Sequence, residues 1–156
     1  MNNSPPKDSS KNELTDQIHL LEKEVNRLQS IIDNLPGSIY WKSNAGEYLG
    51  HNRYAKEKMR SSGLESDRCI GLTDYDLFPP ETADTFRQND LLVIEENKEI
   101  SVEENVHDSN GKIRVNYSIK RPLYENGEII GIIGNTIENT HLKDIEKTLE
   151  AAKQKA

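Results

Sequence analysis

Two Asn-Gly pairs, Asn110-Gly111 and Asn126-Gly127, cut one stretch of the chain into three extended runs at 99–107, 112–124 and 128–137. Asn-Gly suits the type I′ hairpin turn because both central residues need φ > 0. The three runs therefore predict an antiparallel meander. In the middle run Ile113, Val115, Tyr117 and Ile119 alternate with Arg114, Asn116, Ser118 and Lys120, so one face is apolar. By contrast "IIGIIG" (129–134) is apolar on both faces, and "IYW" (39–41) nearly so. Strands covered on both sides carry such runs, which places 38–43 and 128–137 at the centre of the sheet.

Upstream, "SIYWKS" (38–43) and "EYLGH" (47–51) flank Asn44-Ala45-Gly46, a second hairpin signal. Asn52 is placed to cap a helix over 53–60. A loop, 61–72, leads to "IGLTDYDLFPPETADTF", and a longer helix is expected over 81–98 with Pro80 near its first turn. Asp74-x-Asp76 in that stretch invites a metal reading. A calcium loop needs oxygen ligands at positions 1, 3 and 5 and glycine at 6. Counting from Asp74, those last two positions are Phe78 and Pro79. Thr73-x-x-Asp76 instead has the spacing of a capping box, so the stretch punctuates the fold.

The N-terminal region divides in two. Residues 1–13 are polar and are expected to be a disordered tail. From there Leu14, Ile18, Leu21, Val25, Leu28, Ile32 and Leu35 recur at alternating spacings of four and three. Ile18, Val25 and Ile32 take position a, and leucine takes every d, the division that favours a parallel two-stranded coiled coil. The alternative is one amphipathic helix packed on its own domain, but 14–35 would run about 33 Å, longer than a small domain needs. Pro36-Gly37 ends this helix. At the other end Leu142, Ile145, Leu149 and Ala152 mark an amphipathic helix with no stop signal, which suggests continuation into something longer. The expected parts are thus a tail (1–13), a coiled-coil helix (14–35), a domain (36–138) and an output helix (139–156).

Composition excludes several classes of function. A net charge of −7 gives no basic footprint for nucleic acid or for an anionic membrane surface. No apolar run approaches the roughly 18–20 residues of a membrane span. Without a secretory leader, and with Cys69 alone, a cytoplasmic protein is expected. No nucleophile–base arrangement, phosphate loop or paired carboxylates mark an enzyme.

In consecutive order, "SIYWKSNAGEYLGHNRYAKEKM", "IGLTDYDLFPPETADTFRQND" and "NGKIRVNYSIKRPLYENGEIIGIIGNTIENTHLK" resemble a PAS domain over about residues 30–143. Gly71 to Phe78 is the most specific part, then Arg121 to Tyr124 with Asn126-Gly127, then Gly131 and Gly134. The resemblance implies an α+β fold: a five-stranded antiparallel sheet in order 2-1-5-4-3 with helices on one face. It also implies a sensory input module that detects a small ligand, cofactor or partner and signals through flanking helices. The family often joins its last strand to the output helix by Asp-Ile-Thr. Here Glu138-Asn139-Thr140 stands in that place, matching at Thr140 and departing at the first two positions. The tail resembles the linker before the catalytic core of sensor histidine kinases. The implied partners are a second copy of the chain and a downstream effector domain in the same polypeptide. A ligand-free dimerisation and relay module, of a cyclic-dinucleotide enzyme or a chemoreceptor, is the alternative.

No chromophore is expected. Cys69 in "SDRCIGL" lacks the neighbours of the flavin-binding subfamily, and 81–98 contains no histidine for heme. His19, His51 and His107 are scattered surface or edge residues without metal-ligand spacing. Trp41 is a candidate for core packing or for a pocket, and Glu103-Glu104 reads as a solvated acidic run. The simpler reading of Arg114, Asn116 and Ser118 is a solvated sheet face. If that face meets the helices instead, the row lines a cavity for an unknown small ligand and Arg114 becomes a carboxylate anchor.

Overall fold

The computed structural model describes residues 7–61, 68–107 and 110–155, and the chain divides between Leu35 and Pro36 into two units. The first contains a single helix, α1 (Lys7–Asn34). It starts seven residues before Leu14, inside the expected tail, of which 1–6 lie outside the described residues. Residues 7–13 have no apolar period, but a helix already nucleated propagates through such residues at small cost per residue. The heptad positions Leu14, Ile18, Leu21, Val25, Leu28 and Leu35 are between 46 and 67% exposed, and Ile32 is half-buried.

The second unit is the α+β domain. In chain order it holds β1 (Ser38–Ser43), β2 (Tyr48–His51), α2 (Arg53–Ser61), α3 (Asp74–Leu77), α4 (Pro80–Glu96), β3 (Ile100–His107), β4 (Ile113–Glu125), β5 (Glu128–Glu138) and α5 (Thr140–Lys155). Most of the expected 61–72 loop, 62–67, lies outside the described residues. The five strands are antiparallel in the order β2-β1-β5-β4-β3. The doubly apolar strands β1 and β5 therefore lie inside the sheet, as their sequences require. Asn126 and Gly127 turn the β4–β5 hairpin with φ of 49° and 83°.

Local chemistry fixes the helix ends. Asn52, fully buried, caps α2 through a bond from the Ala55 amide to Oδ1 (2.9 Å). The same oxygen takes the Ile39 amide of β1, and the Asn52 side-chain amide donates to the Gly37 carbonyl. One residue thus ties the first helix of the domain to the central strand. At α3 the Asp76 carboxylate accepts from the Thr73 amide (2.8 Å) and hydroxyl (2.9 Å). Pro80 opens α4, and Asn97 closes it in the left-handed region at φ 49°.

Sheet register determines which side chains share the helix-covered face. Tyr40 pairs with Gly134, Lys42 with Ile132, Ser118 with Thr136, and Glu104 with Asn116. Opposed residues point the same way, and successive residues alternate. Arg114, Asn116, Ser118 and Lys120 therefore face inward, while Val115, Tyr117 and Ile119 take the outer face. This corrects the solvated-face reading of Arg114, Asn116 and Ser118: Ser118 and Lys120 are buried, and Arg114 and Asn116 half-buried.

Candidate functional site

Between the inner sheet face and α2–α4 lies a cavity of about 380 Å³. Tyr40 and Lys42 reach it from β1, Met59 from α2, Phe86 from α4, and Asn116 and Arg114 from β4. Gly134 makes room for one wall: a Cβ there would stand 2.4 Å from the Tyr40 ring, so the tyrosine needs a neighbour without a side chain. The ring leans across Gly134 and meets Tyr48 at 5.9 Å between centroids.

Behind these rings sits a charge network with almost no exposure. Lys42 Nζ donates to Asp74 Oδ2 (2.5 Å) and Asp90 Oδ2 (2.9 Å). Lys120 Nζ donates to Asp90 Oδ1 and contacts Glu104 Oε1, each at 2.9 Å. Lys42, Lys120 and Asp90 are each 1% exposed. Glu104 also accepts from Ser118 Oγ (2.8 Å) and Asn89 Nδ2 (3.0 Å), and Tyr48 donates its hydroxyl to Asp74 Oδ1 (2.8 Å). Buried charge persists only when paired and hydrogen-bonded on every side. The network meets that condition by joining β1, α3, α4, β3 and β4. It also overturns the solvated reading of Glu104, which is buried; Glu103, one residue away on the other face, is exposed and pairs with Lys143 of α5 at 2.8 Å.

The network sets a pH response. Burial raises Tyr48 well above its ordinary 10.0, reinforced by the Asp74 charge, and burial also raises Tyr40. Burial opposes the charge on Lys42, but Asp90 and Asp74 outweigh it and leave the group above 10.5. Burial opposes the charge on Lys120 too, but the carboxylates of Asp90 and Glu104 help outweigh it and leave the group raised. A group whose folded pKa is raised contributes stability that is complete below its unfolded pKa and is lost as pH rises above it. All four act in one direction, so thermal melts should be level from pH 7 to about 9 and fall steeply above about pH 10, by up to about 1.4 kcal/mol per pH unit for each group. A melting temperature unchanged between pH 9 and 11 would show that these groups titrate as they do in water.

Beside the cavity residues Lys58 and Arg114 the last strand meets α5. Glu138 Oε2 pairs with Lys58 of α2 and, at 3.4 Å, with Arg114 Nη1 of β4. Its Oε1 accepts from the Thr140 hydroxyl at 3.4 Å. Thr140 Oγ1 takes the Val115 amide (3.0 Å), and the Asn139 amide donates to the Val115 carbonyl (2.7 Å). The bond from Lys58, with the charges of Lys58 and Arg114, holds the Glu138 carboxyl below its ordinary value. Glu138-Asn139-Thr140 thus forms a three-way joint between α2, β4 and the first turn of α5, with the Glu138 carboxylate reaching both cations.

Of the residues singled out from sequence, Arg114 and Asn116 line the cavity and Ser118 lies buried behind it. Trp41 does not belong with them: it alternates with Tyr40 and Lys42, faces the outer sheet surface and lies across Gly50. His107 lines the cavity; His19 is exposed on α1 and His51 half-buried on the edge strand. Lys42, Asp74, Asp90, Lys120 and Lys58 were not anticipated. Two had a visible signal: Lys42 interrupts an apolar central strand, and Asp90 falls in the stripe Ala83, Phe86, Asp90, Val93 of α4. Among the described residues no cluster of metal-ligating side chains is found, and no helix is long and apolar enough to cross a membrane.

Comparison with known proteins agrees with this architecture. A family profile described as the PAS fold matches residues 32–144. Among solved structures, VqmA bound to DPO is similar at 26% identity and a TM-score of 0.63, over 72% of this chain and 56% of VqmA. Vibrio cholerae VqmA in a ligand–DNA complex gives the same identity and TM-score over 72% of this chain and 50% of that one. The chain thus spans about half the length of these VqmA chains. The PAS domain of Bordetella pertussis BvgS is 24% identical with a TM-score of 0.62, over 86% of this chain and 99% of that domain. No curated protein sequence matches. With the profile covering most of its length and the sheet in the family's order, the chain belongs to the PAS family of sensory modules.

Proposed function

We propose that this chain is a dimeric, cytoplasmic PAS sensory domain that holds a small ligand in the cavity and relays its presence through α5 to an effector. One observation carries the reading: two cations of the cavity wall, Lys58 and Arg114, are also the partners of Glu138 at the β5–α5 joint. A ligand touching them acts on the output helix within one side-chain contact. The cavity volume of about 380 Å³ falls at the small end of the range that takes metabolite-sized compounds. A ligand that binds one arrangement of the joint better than another shifts the population between them. The heptad positions Leu14, Ile18, Leu21, Val25, Leu28, Ile32 and Leu35, all exposed except the half-buried Ile32, support a parallel homodimer. The effector is assigned as a histidine kinase core because the tail resembles the linker that precedes such cores. The VqmA structures favour the ligand-receptor part of this reading, since one of them is described as bound to DPO.

A thermal-shift screen of the full chain against a metabolite library tests the reading. At least one compound should raise the melting temperature of the wild type and fail to do so in Met59→Trp, whose indole fills the cavity. If no compound stabilises the wild type, the domain is a ligand-free relay module instead.

A further inference from the structure

The charge of the cavity is opposite to that of the chain. The protein carries a net −7. Yet Lys42, Lys58 and Arg114 line the cavity against Glu104, the one carboxylate of its wall among the described residues. Glu104 and Lys42 are consumed in the buried network. Lys58 and Arg114 are placed differently. Their side chains are 36 and 38% exposed, and one oxygen of Glu138 serves both, with the Arg114 contact at the long distance of 3.4 Å. Much of the remaining wall is apolar or aromatic: Tyr48, Met59, Leu77, Phe78, Phe86 and Val106.

The geometry points to a small carboxylate with an apolar or aromatic body as the ligand of this cavity, seated on Arg114 and Lys58 in competition with Glu138. The inference rests on the sensory reading of the cavity and adds the ligand's chemistry and the way it is read. The body occupies the apolar wall, and the carboxylate takes the Arg114 fork and the Lys58 ammonium. Glu138 then loses two charge-assisted partners and keeps only the Thr140 hydroxyl. Thr140 Oγ1 and the Asn139 amide hold the start of α5 to Val115, the residue after Arg114. Ligand binding therefore loosens the joint where the output helix leaves the sheet. Apolar bodies distinguish this class from phosphate esters, whose polar bodies would find few partners on this wall.

The test is calorimetry on the full chain with benzoate, phenylacetate and isovalerate, each against its uncharged amide. At least one acid should bind about tenfold or more tighter than its amide, the worth of a charge-assisted pair. That preference should vanish in Arg114→Gln and shrink in Lys58→Gln, a second variant at a half-exposed site should the first fail to fold. Competition makes a sharper demand: in Glu138→Gln the same acid should bind tighter, about fivefold or more, with the amide unchanged. Equal binding of acid and amide overturns the carboxylate assignment and leaves the cavity as a site for neutral ligands. Acid binding unchanged or weakened in Glu138→Gln overturns the competition. Failure of all three pairs overturns the inference, while the library screen separately decides whether the cavity binds anything.

Discussion

Asp90→Ala is expected to cost about 3–5 kcal/mol of stability, the penalty for leaving buried charge without its partner. Asp90 is 1% exposed and each of its oxygens holds a different ammonium, Lys42 on β1 and Lys120 on β4. Removing it leaves Lys42 with Asp74 and Lys120 with Glu104, so each ammonium loses one of its two carboxylates while remaining about 1% exposed. Domains of this size have about 5–15 kcal/mol in total, so the variant should sit near the edge of folding. Urea denaturation followed by circular dichroism measures the loss. Glu96→Ala, at an exposed helix end, should stay within about 0.5 kcal/mol and serves as the control. A loss below about 1 kcal/mol for Asp90→Ala would mean that the network is open to water and not a structural unit.

In the proposed homodimer, replacing Leu21 and Leu28 together by lysine should leave a monomer. Both occupy d positions, where each leucine packs into a hole on the partner helix. Burying one leucine is worth about 1.5–3 kcal/mol, so losing four per dimer weakens association by about four orders of magnitude or more. Like charges then face each other along the seam. Sedimentation equilibrium reads the result directly, and the domain itself should stay folded, because its core lies in the unit after Leu35. A double variant that remains dimeric would move the interface off the heptad face.

How much of this was legible follows from the physics of each part. The inner place of β1 and β5 was readable because 39–41 and 129–134 are apolar on both faces and the Asn-Gly turns fix the β3-β4-β5 meander, whereas the full strand order followed only from the resemblance to PAS domains. Asn52 and the Thr73–Asp76 pair were readable because caps act over three residues. The facing of β4 was not readable. Its polar and apolar rows alternate with equal regularity, and only partners supplied from other elements make the polar row the inner one. Those partners are distant in sequence: Asp74 lies 32 residues from Lys42, and Asp90 lies 48 from Lys42 and 30 from Lys120. Glu104 was misread for the same reason, since an acidic pair on a strand shows nothing of which member turns inward. Residues 7–13 carry no apolar period, so the early start of α1 left no mark in the pattern.

The central claim is that a dimer of this chain carries a small molecule in each cavity, and native mass spectrometry of the full chain purified from cells tests it most directly. The account predicts a dimer of the 17.8 kDa chain with one small additional mass per subunit, lost in Met59→Trp. A bare chain of either oligomeric state, its mass differing from that of the variant only by the substitution itself, would contradict it.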